Sequence, residues 1–142
     1  MRSSVITEVI ALFFVALFLY TGINKFMDFY IFREQVGLSP LLASVADLVA
    51  VILPSIEILT AIILFIPRTR LLGMYMALIL MICFTGYIFY ILNFNEHLPC
   101  TCGGVLESLS WRQHLVLNAC LITLAFTGCL NLKKKLRYKG IS

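Results

Sequence analysis

A chain of 142 residues in which 61% are hydrophobic and only 13% are charged lacks the polar side chains to cover a water-facing surface, since a soluble domain carries about a quarter charged residues. The length allows a single domain, residues 1–142, and four helices of about 20 residues each would spend most of it in lipid, leaving roughly 60 for connections. The net charge of +4 is unevenly placed: Lys133, Lys134, Lys135, Arg137 and Lys139 follow an apolar stretch, which reads as a topology anchor against membrane lipid and not as a nucleic-acid contact.

The first apolar stretch runs from Val5 to Ile23. Arg2 precedes it as in a signal peptide, but no small-x-small cleavage site follows in Thr21-Gly22-Ile23-Asn24-Lys25. The run is also longer than the usual signal core, about 7–15 residues, so it is expected to be a retained helix. The segment Asn24–Ser44 carries Phe26, Phe29, Tyr30, Phe32 and Val36. It is expected to be an amphipathic piece that lies on the membrane, there to cover the end of the bundle or to shape a substrate entrance.

The second stretch, Val45–Ile66, contains Asp47, Pro54 and Glu57. Only Pro67-Arg68-Thr69-Arg70 separates it from the uncharged third stretch, Leu71–Leu92, which makes the two an antiparallel hairpin. The fourth, Leu115–Leu132, follows Trp111, a residue type favoured at the membrane–water boundary. The expected fold is an all-α integral membrane four-helix bundle. Lys and Arg orient it: with the N-terminus inside, Arg2, Arg68, Arg70 and the five late residues are cytoplasmic, and Lys25, Arg33 and Arg112 are outside. Eight against three places both termini in the cytoplasm and Asn93–Arg112 on the periplasmic side of a bacterial inner membrane.

That loop reads His97-Leu98-Pro99-Cys100-Thr101-Cys102-Gly103-Gly104. Disulfides persist outside the cytoplasm. A bond between residues two apart closes a small, strained ring suited to exchange. Gly103 and Gly104 give backbone freedom for a partner's approach. Two other readings of Cys100 and Cys102 stay open: a structural disulfide, and a soft-metal site with His97 and His114. The same histidines are candidates for lowering a thiol pKa.

Cys83, Cys120 and Cys129 lie within helices, where a thiol serves as a small apolar filler. Cys83 and Cys120 fall at similar depth and are the candidate second pair, whereas Cys129 lies near the cytoplasmic end. Glu57, twelve residues into its helix, is an ionisable group in mid-membrane, which marks a polar anchor or a quinone site. Asn118 is a candidate partner for it, although the depths match poorly. Lys25, just past the first helix, is expected to bond outer carbonyls or to pair with Asp47. Asp47 and Glu8 lie near helix ends and are expected at the interface.

With these residues in view, the chain resembles the MauE/DoxX-like family of redox-associated membrane proteins, in its MauE branch. Gly22-Ile23-Asn24-Lys25 is similar to a Gly-x-x-Lys ending of the first helix, and Pro54-Ser55-Ile56-Glu57 to a Pro-x-x-Glu in the second. Pro99-Cys100-Thr101-Cys102-Gly103-Gly104, followed by Trp111, His114 and Asn118, carries the resemblance furthest. The resemblance implies a four-helix inner-membrane protein associated with thiol chemistry and with periplasmic thioredoxin-like proteins. MauE-type members are linked to maturation of a disulfide-rich methylamine dehydrogenase, and DoxX relatives to quinone-coupled sulfur oxidation. Four-helix disulfide generators coupled to quinone use two cysteine pairs; only Cys100 and Cys102 form an obvious pair here.

The functional expectation is a thiol–disulfide relay in which Cys100 or Cys102 exchanges with a periplasmic thioredoxin-fold or disulfide-containing protein. A quinone is the candidate acceptor, and no metal is expected. The alternative is a non-catalytic subunit that anchors or assembles a partner complex, with a structural disulfide or metal-binding loop. Small-solute transport has only one buried carboxylate to support it.

Overall fold

The computed structural model describes residues 2–94 and 110–141. They form α1 (Arg2–Met27), α2 (Phe29–Gly37), a 3-10 turn (Ala43–Val45), α3 (Ala46–Phe65), α4 (Arg70–Phe94) and α5 (Trp111–Ile141), with no strand among the described residues. Four of the helices are long and apolar enough to cross a membrane, over Ser4–Met27, Ala43–Phe65, Arg70–Asn93 and Arg112–Gly140. A helix satisfies its backbone polar groups internally, which is the condition for crossing hydrocarbon. Val9, Leu12, Ile62, Ile79, Phe89 and Phe126 are exposed along them. So continuous an apolar exterior suits lipid and would aggregate in water. This is a multi-pass membrane protein.

The spans form a closed ring: α1 packs on α3, α3 on α4, α4 on α5, and α5 returns to α1. Phe14, Phe18, Ala61, Leu64, Met74, Ala77 and Ala125 fill its middle. Hydroxyls within the spans bond back to carbonyls one turn earlier: Thr60 donates to Ile56 O, Thr85 to Met81 O, and Thr123 to Ala119 O. Each of these hydroxyls therefore meets an acceptor without a partner helix.

Two close approaches depend on glycine. A Cβ on Gly22 of α1 would lie 2.9 Å from Ile58 Cγ1 and 3.2 Å from the Pro54 carbonyl of α3. A Cβ on Gly73 of α4 would lie 2.8 Å from the Leu64 amide nitrogen and 3.0 Å from its Cα. The turn between α3 and α4 is closed by Thr69, whose hydroxyl donates to Ile63 O at 2.9 Å, satisfying a carbonyl of the last turn of α3.

The bundle has two unlike ends. At one lie the C-termini of α1 and α4, the N-termini of α3 and α5, and α2; residues 95–109 connect α4 to α5 there. At the other lie the N-terminus of α1, the turn at 66–69 and the C-terminus of α5. The segment 24–44 contains α2, which buries Phe32 and Val36 against Ala50 of α3 and leaves Tyr30 and Ile31 exposed. Arg33 of α2 is paired with Asp47 of α3. α2 thus caps one end of the bundle.

Candidate functional site: a capped cavity with a buried ion pair

At the end where α4 finishes and α5 begins, α1, α2, α3, α4 and α5 line a cavity of about 260 Å³. Leu17, Phe18, Val49, Leu53, Met81 and Leu121 are among its apolar lining, and Thr21, Lys25, Glu57, Tyr87, His114 and Asn118 are its polar spots. A largely apolar recess with a few convergent polar groups is the usual form of a small-molecule site.

Its centre is an ion pair. Lys25 Nζ lies 2.8 Å from Glu57 Oε1 and 3.0 Å from Oε2, and the two side chains are 7% and 1% exposed. The geometry follows from helix direction. Side chains lean toward the N-terminus of their own helix. α1 and α3 are antiparallel, so Lys25 leans into the bundle while Glu57 leans back toward its capped end. Gly22 and Lys25 share one face of α1, and Pro54 and Glu57 share one face of α3, because residues three apart are helical neighbours. Contact of Gly22 with Pro54 therefore carries Lys25 to Glu57.

Glu57 lies roughly 16 Å along α3 from its first residue at 1.5 Å per residue, deep enough that an isolated carboxylate would be costly. The pair offsets that cost with two charge-assisted hydrogen bonds. Two ring faces add to it: Lys25 Nζ lies 5.8 Å from the Phe32 centroid and 5.7 Å from the Phe84 centroid, within the range of a cation–π attraction.

This arrangement corrects three expectations. Lys25 does not pair with Asp47; α1 continues to Met27, which puts Lys25 on the helix, and Asp47 is taken by Arg33. Glu57 is held by Lys25 and not by Asn118, but Asn118 borders the same cavity. α5 begins at Trp111, so Asn118 lies two turns inside the helix and closer in depth to Glu57 than a start at Leu115 implies. Glu8 is also more than an interfacial group: Arg70 Nη1 donates to its Oε1 at 3.0 Å while Arg70 Nε donates to Leu64 O at 3.1 Å.

Cys83, Cys120 and Cys129 are free thiols. Cys83 lines the cavity and Cys120 does not; Cys129 is buried in the core near the opposite end. No disulfide joins Cys83 to Cys120 in this structure. His97, Cys100 and Cys102 lie outside the described residues. Among the described residues, no three His, Cys, Asp or Glu side chains gather in a metal-binding cluster.

Sequence reasoning missed Tyr87 and Phe84, and named Phe32 only within the segment 24–44. Tyr87 lies four residues after Cys83 and so shares its face of α4, a periodicity that picks it out. Its hydroxyl is buried and has no hydrogen-bond partner of normal geometry among the described residues. Nothing in the order of residues marks Phe32 and Phe84 as partners of one ammonium.

The family described as methylamine utilisation protein MauE matches residues 3–131, nearly the whole of the described bundle. The chain belongs to the MauE family. No curated protein sequence and no solved structure is detectably similar to it. In this MauE-family chain, the Gly22–Lys25 and Pro54–Glu57 motifs are the two halves of one contact, where close packing of α1 on α3 assembles the buried pair.

Proposed function

We propose that this MauE-family protein is a thiol–disulfide relay of the bacterial inner membrane, with Cys100 and Cys102 exchanging with a periplasmic thioredoxin-fold or disulfide-containing protein. The observation that carries the reading is the position of the cavity. It lies at the end of the bundle where α4 ends and α5 begins, and these two walls are the helices that the segment carrying Cys100 and Cys102 joins in sequence. The distribution of Lys and Arg supports assigning this end to the outside.

The exchange is balanced without further reagents. A thiolate of the partner attacks one sulfur of a Cys100–Cys102 disulfide, breaking that S–S bond as a mixed disulfide forms. The partner's second thiolate displaces the bound cysteine, leaving the partner oxidised and Cys100 and Cys102 as thiols. Two electrons and two protons have then entered this chain.

The residues of the cavity fit a quinone ring. Tyr87 offers a buried hydroxyl close to that of Ser39, and the Lys25 ammonium has three N–H donors, of which Glu57 engages two. Leu17, Leu53, Met81 and Leu121 exclude water around them. A quinone, when bound, supplies a two-electron, two-proton acceptor. Glu57 holds Lys25 in place, and Cys83 stands on the cavity wall as a thiol within the bundle.

The test is thiol alkylation with a gel-shift readout in native membranes. Cys100 and Cys102 are expected to change redox state with the quinone pool, and Cys100→Ser to abolish the mixed disulfide with a trapping thioredoxin-like partner. If that adduct still forms in Cys100→Ser and the partner's redox state is unchanged, the relay fails and the assembly-subunit reading stands.

A further inference from the structure

At the end of the bundle opposite the cavity, α1 and α5 border a second recess, of about 370 Å³. Asn131, Lys134, Lys135, Tyr138 and Lys139 of α5 line it, with Ser4 of α1 opposite. Positions 131, 134, 135, 138 and 139 form one stripe at helical spacing, so the grouping is a built face and not the average of a basic run. Lys133 and Arg137, from the same run, do not border it. Three ammonium groups line the recess. Lys135 Nζ donates to Ser4 Oγ at 2.9 Å, which ties that ammonium to the far wall, while Lys134 and Lys139 are exposed.

Three cations with hydroxyl and amide donors between them match a phosphate-bearing anion. The surroundings select its source. Val5 and Ile6 of α1 and Phe126 and Leu130 of α5 are exposed apolar residues that begin beside the recess or within about two turns of it. The polar pocket therefore lies where two spanning helices pass from hydrocarbon to headgroup. We infer that this groove is a binding site for the phosphate headgroup of an anionic phospholipid, whose acyl chains lie along the apolar surface of α1 and α5. A soluble phosphate would use the lysines but leave that apolar surface without a role.

The full chain in neutral detergent, mixed with phosphatidylglycerol or phosphatidylcholine and observed by native mass spectrometry, tests the site. Phosphatidylglycerol is expected to be retained in preference to phosphatidylcholine. The Lys134→Gln/Lys135→Gln/Lys139→Gln variant is expected to retain it about ten-fold less well, each lysine near a membrane surface contributing to the attraction. Lys133→Gln/Arg137→Gln removes nearby charge off the stripe and is expected to behave as the parent. Equal loss in both variants, or no loss in the first, overturns the site. Displacement by millimolar inorganic phosphate would overturn the lipid assignment in favour of a soluble anion. Lys134→Gln/Lys139→Gln leaves the Lys135–Ser4 bond intact, so a smaller loss in that variant keeps the test decisive if the triple variant folds poorly.

Discussion

The two ends of this bundle treat charge in opposite ways. Around the capped cavity, Lys25 and Glu57 are dry, matched one to one and enclosed by rings. At the other end, the α5 lysines of the second recess are of one sign, with Lys134 and Lys139 exposed, and the Glu8–Arg70 pair lies between these extremes, with Glu8 about half exposed. The difference teaches where charge determines stability in such a chain. A buried pair must stay complete, because losing one member strands the other in a medium that does not solvate it. Interfacial lysines can be lost singly, since water and headgroups remain to solvate what is left.

The comparison breaks most easily at Lys25. Lys25→Met leaves Glu57 without its partner and is expected to destabilise the protein by about 3–5 kcal/mol, read as a fall in the midpoint of unfolding in mixed detergent and SDS micelles. Lys25→Met/Glu57→Met is expected to recover most of that loss, since replacing both charges leaves no stranded group. If the single and double variants unfold alike, the pair does not act as a unit.

Gly73→Ala is the next largest effect. The added Cβ meets the Leu64 backbone, which cannot rotate away, at about 1–3 kcal/mol for overpacking. Gly22→Ala is expected to cost less, because the nearest atom it meets, Ile58 Cγ1, belongs to a side chain that can shift. Equal losses at the two glycines would show that the α1–α3 contact is as rigid as the α3–α4 hairpin.

Arg70→Met removes donors to Glu8 and to the Leu64 carbonyl and is expected to cost about 1.5 kcal/mol, the lower range for a hydrogen bond to a charged group. The smallest effect belongs to Arg33→Gln. Its partner Asp47 is 75% exposed, so the loss is expected to stay within about 0.2–1 kcal/mol and to shrink further in high salt. A loss there as large as at Lys25 would erase the distinction between dry and wet pairs.

Much of this was legible in the order of residues. The apolar runs and the linker at 67–70 marked four spans, because a helix is the economical way for one segment to satisfy its backbone in lipid. Glu57 stood out as a charge where lipid penalises charge, and Lys25 as the cation at the end of the first run. Their pairing did not follow, because the end of α1 read from composition alone came four residues early. An apolar–polar boundary marks where lipid ends, whereas the helix continues as long as its backbone bonds are made. α5 likewise runs from Trp111 to Ile141, well past both limits of its apolar core.

By itself, the sequence determined that the chain is a membrane bundle with Cys100 and Cys102 between its last two apolar runs, since composition and spacing decide what lipid accepts. Which side chains meet was decided only by the tertiary structure. The crossing of α1 on α3 at Gly22, and the lean of antiparallel side chains toward each other, joined Lys25 to Glu57 across 32 positions. Folding α2 back over the end added Phe32 and Val36 to the cavity wall, and placed Phe32 beside an ammonium that neither residue's neighbours foretold. Contacts between helices depend on their rotation and depth, and local sequence constrains both only loosely.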